Sequence, residues 1–121
     1  GRDVKHLARA EGAITGAAMK FMGWFQGGSM ALVPLNANRF LEMMSEIVVG
    51  WLLLEQAALA TKKLEGLAEG HHDRAFYEGK VAGAQFFARN VLPGVVHKFE
   101  LFGIDDDSPL QISDAAFATV A

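Results

Sequence analysis

The chain has no cysteine among its 121 residues. That excludes a disulfide framework, a thiolate metal ligand and a cysteine nucleophile, and it agrees with a cytoplasmic origin. Serine is scarce: Ser29, Ser45, Ser108 and Ser113 are all there are. None sits in a Gly-x-Ser-x-Gly elbow that would present a nucleophile. No basic run stands out. A net charge of −3, with both signs interspersed, offers no electrostatic footprint for nucleic acid. No secretory leader pattern opens the chain. Gly1 stands where an initiator Met would, so the reading is of one domain, residues 1–121, taken from a larger chain. The longest charge-free apolar run, "IVVGWLLL" from Ile47 to Leu54, falls well short of the ~20 residues a membrane span needs. It is expected to be part of a buried helix.

What is present is helical periodicity, with no competing strand pattern. A first helix is expected over about 3–32, with Leu7, Ala10, Ile14, Ala17, Phe21, Trp24 and Phe25 at helical spacing. Its weakest point is Gly27-Gly28. A second is expected over about 37–69, capped by Asn36 or Asn38. Lys62 and Lys63 stand near its negative dipole end. A third is expected over about 73–102, with Asp73 as N-cap and a kink at Pro93. The tail, 103–121, holds two turn starts, Ser108-Pro109 and Ser113-Asp114. Short connections make sequential helices antiparallel neighbours. The expected fold is therefore all-α, an up-down-up bundle of three long helices with a partly helical tail.

The second and third helices carry more apolar surface than such a bundle can cover. On the second, Phe40, Met44, Ile47, Trp51, Leu54 and Ala58 form one stripe, expected to face the core. Leu41, Val48, Leu52 and Leu59 form another about 100° away, and Val49, Leu53, Ala57 and Ala60 point elsewhere again. On the third, Phe76, Tyr77, Val81, Ala84, Phe87, Ala88, Val91, Leu92, Val95 and Phe99 gather on one face. Gly79, Gly83, Phe86 and Asn90 form a strip away from it. A helix apolar nearly all round is buried nearly all round. The surplus implies a dimer or a missing domain.

Chemistry has little to work with. Glu69 and His72 give one Glu-x-x-His spacing, where a di-iron bundle needs two on facing helices. His71-His72 reads as a polar turn, so no metal site is expected. Asp105-Asp106-Asp107 lacks the alternating ligands of a calcium loop. Glu42, Glu46 and Glu55 are expected to be rim charges rather than general bases. No catalytic residue is assigned.

The stretch "AFYEGKVAGAQFFARNVLP" sets an aromatic pair, Phe76-Tyr77, before Lys80, a small-residue run at Ala82–Ala84, a second pair, Phe86-Phe87, and Leu92-Pro93. With "IVVGWLLLEQAALATKKL" before it, it resembles the C-terminal extension of large bacterial acyl-CoA dehydrogenases, the branch that includes 3-methylmercaptopropionyl-CoA dehydrogenase. The resemblance covers roughly Asn38 to Asp114. It implies a parent flavoenzyme of fatty acid metabolism that oxidises an acyl-CoA to the 2,3-enoyl-CoA with FAD. The catalytic glutamate and the main FAD and CoA contacts belong to the preceding body. This piece would then be inactive alone and hold no cofactor. Its expected partners are that body and a second copy. Gly79, Gly83, Phe86, Asn90, Val49 and Leu53 are the expected contact. The other function class is a stand-alone helical adaptor or small-ligand binder.

Overall fold

The computed structural model describes residues 1–118 and 120. Positions 119 and 121 of the expected tail lie outside the described residues. The described residues form four α-helices: α1 (Arg2–Gln26), α2 (Leu32–Glu65), α3 (Arg74–Asn90) and α4 (Leu92–Phe102). Two short 3-10 turns follow, Ser108–Gln111 and Asp114–Phe117. There is no strand among the described residues.

Several helix ends differ from their expected places, each for a local reason. α1 stops at the Gly27-Gly28 pair instead of running to 32. Gly27 donates its N–H to the Gly23 carbonyl (2.8 Å), and Gly28 takes φ +85°, which glycine adopts without cost. α2 begins at Leu32, five residues early. Leu32 and Val33 donate to the Ser29 and Met30 carbonyls (3.0 and 3.1 Å), so winding starts before Pro34. Pro34 sits in the first turn, where a missing N–H is no loss. Neither Asn36 nor Asn38 caps the helix. Asn36 turns inward and donates to the Leu32 carbonyl (2.8 Å). α2 ends at Glu65, before Gly66. Asp73 does stand at the N-cap of α3, but its side chain bonds no helix amide there.

The third pattern is two helices rather than one kinked one. Pro93 cannot donate to the Arg89 carbonyl, and its ring crowds that turn. The α3 ladder therefore stops at Asn90. Val91 forms the joint, with φ −107° and ψ −48°, and Gly94 donates to its carbonyl (3.0 Å).

The core is built on small residues. Leu7, Ala10, Ala13, Ala17 and Trp24 of α1 meet Met43 of α2, Ala88 of α3, and Leu92, Val95 and Phe102 of α4. Two glycines let the helices close. A Cβ added at Gly16 would lie 2.6 Å from the Phe99 ring, and one at Gly50 would lie 2.9 Å from Leu92. Phe21 stacks on Phe102 with ring centres 5.4 Å apart.

Polar contacts tie the same neighbours together. Arg89 pairs with Asp3 (2.9 Å). Lys98 pairs with Glu46 and, at 3.4 Å, with Glu42. Arg74 donates to the Leu64 and Leu67 carbonyls (3.1 and 3.0 Å), closing the α2–α3 connection. Beyond α4, Asp105 accepts from the Trp24 indole N–H (2.7 Å) and the Lys20 ammonium (3.1 Å).

Candidate docking surface

α2 packs on α1, α3 and α4 but leaves one long side bare. Asn36, Met43, Gly50 and Ala57 are buried at intervals of seven, and Ala60 is buried with them. That is the seam repeat of packed helices. The side chains away from this seam are large and apolar. Leu41, Met44, Val48, Trp51, Leu52 and Leu59 are 45–63% exposed. Their own spacing follows the same three-and-four alternation, so they line up along the helix.

This reverses part of the expectation for α2. The stripe of large residues is not the core face as a whole: Phe40, Ile47 and Leu54 flank the core, while Met44 and Trp51 face out. Ala57 and Ala60, expected to point away, are buried. The "IVVGWLLL" run is not a buried stretch, since Val48, Val49, Trp51 and Leu52 all stand exposed. Close helix approach selects the small side chains, Gly50, Ala57 and Ala60, and pushes the bulky ones to the flanks. α2 is also long and apolar enough, by length and composition, to cross a membrane. Its other sides are occupied by the remaining helices.

On α3 the expected core face holds for Ala84 and Ala88, and α4 continues it with Leu92 and Val95. Tyr77, Val81, Phe87, Val91 and Phe99 are half-buried. Phe76 is not part of it and stands 63% exposed. Phe76, Tyr77 and Lys80 line an apolar cleft of about 260 Å³ with Gln56, Leu59, Ala60 and Lys63 of α2. The Lys80 ammonium lies 5.4 Å from the Phe76 ring centre. Leu59 thus joins the α2 stripe to this cleft.

Among the residues expected to make the contact, Phe86 is exposed and a Cβ at Gly79 or Gly83 would meet open space. Val49 is exposed and Leu53 half-buried. Asn90 turns back on its own helix and donates to the Phe86 carbonyl (2.9 Å). Five of the six are therefore exposed, Leu53 is half-buried, and Asn90 and Phe86 are joined by that bond within α3. The larger α2 stripe had a signal in the sequence, the Leu41, Val48, Leu52 and Leu59 spacing.

The polar groups are engaged structurally. Glu42 and Glu46 are tied to Lys98. Burial by itself lowers the Lys98 pKa, but the Glu46 and Glu42 carboxylates outweigh it and raise it above the usual lysine value. His71, His72 and Asp73 bring three ligand atoms within 4.8 Å of one another. His71 Nδ1 already accepts the Asp73 backbone N–H (3.0 Å), and His72 Nε2 lies 3.2 Å from the Asp73 carboxylate. Both bonds complete a polar turn. Among the described residues no buried side-chain nitrogen or oxygen lacks a partner, so no orphaned group points to a missing flavin.

The family described as acetyl-CoA dehydrogenase C-terminal like matches residues 2–113. A butyryl-CoA dehydrogenase of Syntrophomonas wolfei subsp. wolfei is 43% identical over 86 residues, 71% of this chain and 14% of that protein. The broad-specificity linear acyl-CoA dehydrogenase FadE5 of Mycobacterium tuberculosis is 37% identical over 116 residues, 92% of this chain and 19% of that protein. The chain thus spans less than a fifth of the length of these curated relatives.

Proposed function

The chain belongs to the acetyl-CoA dehydrogenase C-terminal-like family, and from that premise we propose that it docks, as a non-catalytic helical domain, on the body of an FAD-dependent acyl-CoA dehydrogenase. The observation that carries this reading is the bare stripe on α2. Six large apolar side chains about half exposed offer several hundred Å², the scale at which exposed patches mark an interaction site. The relatives named above are acyl-CoA dehydrogenases five or more times this length, which supports a catalytic body elsewhere in the chain. The parent reaction, acyl-CoA to 2,3-enoyl-CoA, belongs to that body. Bound there, FAD would accept the hydride; the residues of this domain supply packing.

The up-down-up arrangement is part of the same reading. The pairs Asp3–Arg89, Gly16–Phe99 and Trp24–Asp105 advance together along α1 and α3–α4. The pairs Phe21–Phe40, Glu46–Lys98 and Gly50–Leu92 run oppositely on α2. The 3-methylmercaptopropionyl-CoA branch, a cytoplasmic setting, a place in fatty acid metabolism and a homodimer are further parts of the proposal. The branch and the metabolic place follow the resemblance, the cytoplasmic setting follows the lack of cysteine, and the homodimer follows the surplus apolar surface. Gly79, Gly83, Phe86, Asn90, Val49 and Leu53 are proposed as an extension of the docking face.

Hydrogen exchange tests it. Amides of residues 41–59 should exchange more slowly in the full-length enzyme than in the 121-residue chain, and Phe86→Asp should weaken the docking. Equal protection in both would overturn the reading.

A further inference from the structure

Four of the chain's cations are half-buried: Lys20, Arg39, Arg74 and Lys98. Three are neutralised or saturated. Lys20 meets Asp105, Lys98 meets Glu46 and Glu42, and Arg74 has two backbone carbonyls and Glu78. Arg39 differs. Its one hydrogen bond runs from Nη1 to the amide oxygen Oδ1 of Asn36 (2.7 Å). Among the described residues no carboxylate lies within 4.0 Å of it. A guanidinium has five N–H donors in a fixed fork, so most of its capacity is open.

The group is nevertheless held in place. Asn36 is only 8% exposed and is itself fixed by its bond to the Leu32 carbonyl. The guanidinium carbon lies 5.9 Å from the ring centre of Phe102, a fully buried core residue. Arg39 and Asn36 open onto a cleft of about 170 Å³ whose other walls are Leu35, Leu101, Phe102, Asp106 and Pro109. The acidic residue in its wall is turned to another task. Asp106 Oδ1 accepts the Ser108 backbone N–H (2.9 Å).

A half-buried, oriented arginine with open donors is poised to take an anion. Its fork matches two oxygens of one planar or tetrahedral group. The cleft has room for roughly six waters at ~30 Å³ each, enough for one such group. We propose that the Arg39 cleft is an oxyanion site that takes a single carboxylate or phosphate group of a small molecule. Arg39 binds the oxygens, Asn36 sets the guanidinium plane, and Leu35, Leu101 and Pro109 form its apolar sides. The site is independent of the α2 outer stripe and does not rest on the docking reading.

The test is a titration of the 121-residue chain with inorganic phosphate, and separately with acetate, at constant ionic strength set with sodium chloride. The Arg39 Nε–H and Asn36 side-chain amide signals are followed by NMR. A saturating shift centred on these groups and on Leu101 and Asp106 is expected. Arg39→Met should weaken binding about tenfold or more, and Arg39→Lys less, because lysine keeps the charge but not the fork. Asp106→Asn should tighten binding about threefold by removing a like charge from the cleft wall. Non-saturating shifts spread over all surface cations would overturn the proposal, as would wild-type affinity in Arg39→Met. Far-UV circular dichroism checks that each variant folds. Should Arg39→Met fail to fold, Asp106→Asn decides: affinity unchanged or reduced overturns the site.

Discussion

Gly50 and Gly83 are both helical glycines, yet they do opposite work. Gly50 is buried against Leu92, itself fully buried, and an added Cβ would sit 2.9 Å from a Leu92 methyl. Gly50→Val should lower unfolding free energy by about 1–3 kcal/mol through overpacking, read from urea midpoints. Around Gly83 nothing lies within 4 Å. Gly83→Ala should raise stability of the 121-residue chain by about 0.5–1 kcal/mol, because alanine loses less backbone freedom in a helix. Should Gly83 line the docking face, the same change must weaken association in the full-length enzyme. A variant more stable alone and no weaker in docking would remove Gly83 from that face. The four-residue spacing of Gly12 and Gly16 in the sequence is the same as that of Gly79 and Gly83. It could not tell that only Gly16 of the four has a neighbour, because that depends on where Phe99 lands.

At the scale of elements, two ionic clamps set how the helices sit. Lys98 joins α4 to α2 through Glu46 and Glu42, with Lys98 and Glu46 each 23% exposed. Lys98→Met should cost about 1–2 kcal/mol, since it strands a half-buried carboxylate. A double-mutant cycle with Glu46→Gln should return most of that as coupling; additive losses would show that the pair contributes nothing. The second clamp is Asp105, which holds the start of the tail against Trp24 and Lys20 at the end of α1. It adopts φ +53°, a conformation in which aspartate is tolerated better than most residues. The Trp24 indole, then the Lys20 ammonium, hold the Asp105 carboxyl below the usual aspartate range. A depressed folded-state pKa means the stabilisation is full above the unfolded value near 3.9 and is lost as pH falls through the folded one. Thermal melts of Asp105→Asn should therefore lose less stability than wild type between about pH 4 and 2. Parallel curves would show that the carboxylate's charge is not used. The elements themselves were legible. Gly27-Gly28 ended α1 and Pro93 interrupted the third pattern as their backbone chemistry requires. The early start of α2 was not, because Asn36 competes as a cap in the sequence, and only the fold draws its side chain inward.

Across the whole molecule, the surplus of apolar surface was readable before its location was. The angles of α2 show several apolar arcs, and side-chain size alone favours the one with Phe40, Met44 and Trp51 as the core. Packing decides otherwise, because a 34-residue helix flanked by three others approaches them most closely through Gly50, Ala57 and Ala60. The outer side, Leu41 through Leu59, is left as the largest candidate contact. Light scattering over a dilution series distinguishes its occupants. If two copies meet through this stripe, the chain should be a dimer at micromolar concentration, and Trp51→Asp with Val48→Asp should yield a monomer of unchanged helicity. If the body of the enzyme covers it, the wild-type chain should stay monomeric. The same double substitution should then cost the full-length enzyme stability, about 1 kcal/mol or more for each buried side chain lost from the interface. A chain that is monomeric, joined to a full-length enzyme indifferent to both substitutions, would show that the stripe meets neither partner.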